Sequence, residues 1–204
     1  MKYGMNYKVQ EHLKPKALTG ISDDQIAQHW ALYEGYVKNA NRLLEATAKA
    51  DADSPAWAEP RRRLGFELDG LVLHEYYFGN LASGSKLSPG SDLASDAGAA
   101  WGTVGAWRED FTRTAGMRGV GWAILYHDPA TGGLFNCWIS SHEQGHPAGF
   151  HPVLVLDVFE HAFMVDYGAS GRADYIAAFL DNVNWEVVEQ RYKDSKAGRY
   201  TARF

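Results

Sequence analysis

The chain has 204 residues, 46% hydrophobic and 22% charged, which is enough for one sizeable core or two small lobes sharing one. A net charge of −5 argues against nucleic acid or an anionic membrane as the main partner, and no apolar run approaches the ~20 residues that span a bilayer. The single cysteine, Cys137, excludes an internal disulfide and fits a reducing compartment, and Met1–Asn6 carries no apolar signal region, so a cytoplasmic location is expected.

The spacing predicts a long amphipathic helix over 22–49. Ser22 serves as N-cap, Asp23 and Asp24 favour the positive end of the helix dipole, and Ile26, Trp30, Tyr33, Val37, Ala40 and Leu44 recur in steps of three and four. The stretch from Asp51 to Pro60 breaks the pattern. A second helix follows, with Leu64, Leu68, Leu71, His74, Phe78 and Leu81 on one stripe. Two long helices with a short connection pack antiparallel. Gly84–Gly90 reads as a linker, dividing residues 1–86, an N-terminal α-hairpin lobe, from 91–204, a C-terminal α/β lobe.

Beyond the linker, Asp92–Thr114 reads as helix interrupted by small residues. Gly121–Tyr126 and Leu134–Ser140 form a hairpin across an Asp-Pro-Ala-Thr-Gly-Gly turn. Pro152–Leu156, short and β-branched, is a third strand, and helices over Ala173–Leu180 and from Asn184 to Tyr192 close the chain. The fold class is therefore α+β: a long antiparallel helical hairpin, then a lobe with a three-stranded antiparallel sheet and surrounding helices.

Asp157 stands where the third strand ends, and His161 follows four residues later. Such a pair is often only an N-cap and a hydrogen-bonded core histidine, but a carboxylate and an imidazole at a strand end are also ordinary transition-metal ligands. His29 and His74 lie on the apolar stripes of the two long helices, so both can point at one place between the lobes. Together the four residues make a three-histidine, one-carboxylate set suited to iron or manganese, with a position left for solvent.

In order and spacing, these pieces resemble the iron/manganese superoxide dismutase family from about Leu18 to Tyr192. The matching segments are Ile21-Ser22…His29 with Tyr36-Val37-Lys38-Asn39, His74 through Leu81, Gly119-Val120-Gly121-Trp122, Asp157-Val158-Phe159-Glu160-His161-Ala162, Asp174-Tyr175-Ile176 and Val183-Asn184-Trp185. The resemblance implies one manganese or iron ion per subunit on His29, His74, Asp157 and His161, cycling in charge while superoxide is converted to oxygen and hydrogen peroxide. It implies a gateway role for Tyr36, a pocket wall at Trp122, and at Glu160 a bridge to the partner subunit's ligand histidine in a homodimer or homotetramer.

The resemblance also implies a glutamine beside the ion. Iron enzymes supply it four residues before the second ligand, where this chain has Gly70; manganese enzymes take it from a loop that aligns here with Ser140–Gln144, which assigns the role to Gln144 and prefers manganese.

Several positions depart from the family. Tyr36 follows His29 by seven residues where eight is usual; at ~100° per residue seven steps turn by about −20°, so both share a helix face without a bulge. Tyr33 replaces a histidine, Phe159 a tryptophan, and Phe163 and Met164 two tyrosines. Losses around metal ligands commonly cost ~10–100-fold in affinity or activity, so a dismutase-like protein with little turnover, acting as a binding or structural component, is the alternative. His142-Glu143-Gln144-Gly145-His146 also matches the His-Glu-x-x-His zinc protease signature, but with Gly145 and Pro147 in place a helix is not expected.

Overall fold

The computed structural model describes residues 6–199 and Arg203; residues 1–5 of the N-terminal segment discussed above lie outside them. Ser22 caps the first helix, α1 (Asp23–Lys49), its Oγ accepting from the Gln25 N–H at 3.0 Å. α1 is unbroken α-helix for 27 residues. The second helix, α2 (Pro55–Gly79), starts earlier than expected: Pro55 occupies its first turn, where no N–H is needed, and Pro60 lies inside. Pro60 removes one helical bond to the Ala56 carbonyl without ending the helix. α1 and α2 pack along their lengths through Trp30, Tyr33, Val37, Leu71 and Phe78, all buried.

The interrupted helical stretch is two helices, α3 (Asp92–Trp101) and α4 (Val104–Ala115). Gly102 at φ 85° breaks them apart and Thr103 caps the second, its Oγ1 accepting from the Ala106 N–H. The strands β1 (Gly121–His127), β2 (Leu134–Ser140) and β3 (His151–Asp157) form one antiparallel sheet in the order β2-β1-β3. Central β1 is buried throughout. The register pairs Trp122 with Ile139 on one side and with Asp157 on the other. The chain closes with the short α5 (Met164–Tyr167), α6 (Arg172–Asp181) and α7 (Trp185–Lys196).

Two asparagines tie the helical hairpin to the rest. Asn80, at the end of α2, donates from Nδ2 to the Val155 carbonyl of β3, and its own carbonyl accepts from the Asn184 N–H at 2.6 Å. Asn182 accepts from the Thr19 N–H and donates to the Thr19 carbonyl. These bonds fix the α2 face carrying His74 against the strand carrying Asp157. Among the described residues, no helix is long and apolar enough to cross a membrane.

Candidate metal centre

α1 contributes His29, α2 contributes His74, and β3 ends in Asp157. After β3 the chain turns through a 3-10 segment, Glu160–Ala162, that returns His161 to the same point. Four ligand atoms, one from each residue, lie within 4.8 Å of one another. The Nε2 atoms of His29, His161 and His74 stand 3.1, 3.0 and 3.6 Å from the same oxygen, Asp157 Oδ2. For bonds of about 2.1 Å to a common ion, neighbouring ligand atoms would be about 3.0–3.6 Å apart.

The donor chemistry also calls for a cation. His74 Nδ1 lies 2.6 Å from the Gly70 carbonyl, which can only accept, so the His74 proton is on Nδ1. Its Nε2 is then a bare lone pair, fully buried and without a hydrogen-bond partner, facing a carboxylate oxygen. Two acceptors held face to face in a dry site repel unless a positive charge sits between them. Iron or manganese fits this nitrogen and carboxylate set.

Electrostatics prepare the groups as ligands. Burial holds the His29 imidazole below its ordinary range despite the hydrogen bond to Asp157, and burial together with His29 holds His74 well below it. Both are neutral near pH 7. Burial pushes the Asp157 carboxyl up, but the attraction of His161 and hydrogen bonds from His161 and His29 outweigh it and leave the group ionised.

Supporting contacts fix each ligand. The Phe159 N–H donates to Asp157 Oδ1 at 2.8 Å, leaving Oδ2 for the centre. Tyr175 Oη donates to the Asp157 carbonyl and accepts from Tyr77, whose ring lies 4.9 Å from His29. Gln25, buried on α1, donates from Nε2 to the His161 carbonyl at 2.7 Å and accepts the Val165 N–H at 3.0 Å, clamping the returning loop. Sequence reasoning passed over Gln25. Its signal was a polar residue on the apolar face of α1, one turn before His29.

The pocket wall differs from expectation at one residue. Gln144 is exposed, and its backbone pairs with Ser140 to close a tight loop. The residue turned inward is His142, fully buried, whose Nδ1 accepts from Trp122 Nε1 at 3.1 Å and whose Nε2 meets Tyr36 Oη at 2.7 Å. Indole N–H can only donate, so the His142 proton is on Nε2 and is donated to Tyr36. Burial lowers the His142 pKa to about 4, consistent with this neutral form. The place assigned to the Gln144 amide is held by an imidazole that likewise offers one acceptor and one N–H.

Tyr36 faces this centre from an unbroken α1, its ring 5.0 Å from His74 and 4.8 Å from His142. The seven-residue spacing therefore works without a bulge. Trp122 lines the pocket, fully buried, 5.1 Å from His74. Phe159 stacks on His161 at 5.0 Å and on His142 at 4.8 Å. Tyr33 packs its ring 6.4 Å from His74 but sends its hydroxyl elsewhere, donating to Glu75 and accepting the Gln10 N–H. Glu160 is exposed beside His161. The His-Glu-x-x-His segment lies in a turn, so its two imidazoles do not share a helical face.

A cluster of three imidazoles and one carboxylate able to hold a metal ion, assembled by a helical hairpin and a three-stranded sheet, defines a class of α+β metal-binding proteins. The model for iron/manganese superoxide dismutases, C-terminal domain, matches residues 89–191. The chain is 36% identical to a superoxide dismutase [Fe] of Aquifex aeolicus, with 92% of each chain covered. Similar relatives include a superoxide dismutase [Fe] of Saccharolobus solfataricus, 36% identical over 84% of this chain and 85% of the relative. Superoxide dismutase [Mn] 2 of Haloferax volcanii is 30% identical over 92% and 90%. The chain belongs to the iron/manganese superoxide dismutase family, a family of oxidoreductases.

Proposed function

We propose that the protein is a superoxide dismutase using one iron or manganese ion held by His29, His74, Asp157 and His161. The convergence of three Nε2 atoms on Asp157 Oδ2 carries this reading. When bound, the metal would supply one-electron redox chemistry, by which one superoxide is oxidised to oxygen and the next, taking up that electron and two protons from solvent, is reduced to hydrogen peroxide. The protein's residues hold the charges and protons. Asp157 lowers the site's positive charge. Tyr36 accepts the His142 N–H, so its own hydroxyl proton is free to point into the pocket, and burial raises its pKa so that it stays protonated. Trp122 and Phe159 keep bulk water from the imidazoles.

A manganese preference needs Gly70 together with an inward Gln144. Gly70 stands, but His142 takes the other place, so the reading is a centre that accepts either ion. Glu160, exposed beside His161, and Met164 and Val165, 41% and 40% exposed on the next turn, support a two-fold homodimer covering this edge. The deciding experiment is elemental analysis of protein produced with iron or manganese, paired with a superoxide-consumption assay. About one ion per chain with fast consumption is expected; a full metal complement without consumption would instead select the dismutase-like alternative.

A further inference from the structure

The second histidine of the His-Glu-x-x-His segment, His146, stands behind the pocket wall and bonds to the backbone of the first. His146 Nε2 lies 2.6 Å from the His142 carbonyl. A carbonyl only accepts, so the His146 proton is on Nε2 and is donated there, which leaves Nδ1 as an acceptor. That Nδ1 lies 2.7 Å from the hydroxyl of Tyr126, a buried residue of β1. Tyr126 therefore donates to His146, and His146 donates to the backbone of His142.

This two-bond chain ties the loop after β2 back to β1. Ser140 and Gln144 exchange backbone hydrogen bonds at 3.0 and 3.2 Å, closing the base. Ser141 adopts φ 55°, left-handed backbone that a non-glycine keeps only when its neighbours hold it, and Gly145 adopts φ 100°. His142 sits between them. Its imidazole reaches Trp122 and Tyr36 only while this backbone stays in place.

We infer that His146, oriented by Tyr126, is a positioning residue for the dismutase centre: it grips the His142 carbonyl and so holds the imidazole that donates to Tyr36. The inference rests on the functional reading above. The spacing that on a helix would place two imidazoles on one zinc ion serves here to fold a loop back on itself, with one histidine supporting the other.

The test compares full-length His146→Ala, His146→Gln and Tyr126→Phe with the unaltered protein. In metal-free protein labelled with nitrogen-15, the His142 ring nitrogens report its tautomer, with the proton fixed on Nε2. His146→Ala is expected to give averaged or shifted His142 signals. The metal-loaded variant is expected to keep its ion but lose about ten-fold or more of its superoxide turnover per metal. His146→Gln, whose amide N–H can serve the same carbonyl, should recover part of both. Should His146→Ala not fold, Tyr126→Phe, which removes one hydroxyl, gives the same readings in milder form. Unchanged His142 signals, or full turnover per bound metal, would overturn the inference. If the unaltered protein consumes no superoxide, the functional reading fails and the tautomer measurement alone decides the role of His146.

Discussion

Gly70 lies directly against Tyr36: a β-carbon at position 70 would stand 2.6 Å from Cδ1 of the tyrosine ring. No side chain fits there while Tyr36 holds its place, which excludes a glutamine from that turn of α2. Alanine is worth about 1 kcal/mol more than glycine inside a helix, yet overpacking costs about 1–3 kcal/mol. Gly70→Ala is therefore expected to destabilise the protein in urea denaturation and to lower turnover by displacing Tyr36. Unchanged stability and activity would mean the contact relaxes freely.

Tyr36→Phe keeps the ring against Gly70 and His74 but leaves the His142 N–H without its acceptor. A stability loss of about 1 kcal/mol is expected, the usual worth of one hydrogen bond. Metal content should match the unaltered protein while superoxide turnover falls, a split that elemental analysis and kinetics resolve.

Asp157 is shared by all three imidazoles, so Asp157→Ala should be the most damaging ligand change. Bound metal should drop to a small fraction of one ion per chain. Ligand binding raises stability by RT ln(1 + [L]/Kd), so the thermal midpoint of Asp157→Ala should no longer respond to added manganese or to a chelator, whereas that of the unaltered protein should.

His142 gives a pH dependence of defined sign. Burial lowers its folded pKa from the ordinary 6.5 to about 4, so the folded state resists the proton that the unfolded chain accepts. Its contribution to stability is complete above about 6.5 and is lost as the pH falls toward about 4. Metal-free protein should thus lose stability across that window more steeply than metal-free His142→Gln. Parallel urea midpoints for the two proteins between pH 7 and 4 would contradict the assignment.

Glu160→Ala should shift the protein toward monomer in light scattering and lower its metal retention. Unchanged mass and metal content would remove the support for a dimer across this edge.

The elements were legible where local pattern and packing agree. The apolar stripe and Ser22 cap of α1 set its limits within a residue, and β2 spans Leu134–Ser140 as the turn that precedes it implies. His29, His74 and Asp157 lie on elements with a clear period or end, and His161 follows that strand end by four residues, so the four positions converge on sequence grounds. The loop after β2 was not legible in this way. It has no period, and its course depends on left-handed backbone at Ser141, a residue that rarely adopts it. A shift of two positions along such a turn exchanges the buried and exposed side chains, hence His142 for Gln144. The start of α2 was misread because its prolines look like breakers, while the packing of α2 on α1 carries the helix through Pro60.

His29, His74 and Asp157 are fully enclosed, on two helices that clasp one another and on the end of a strand beneath them. Of the four ligands only His161 meets solvent, its side chain 22% exposed. The way in therefore lies along the loop after β3, past His161, and not between the two clasped helices.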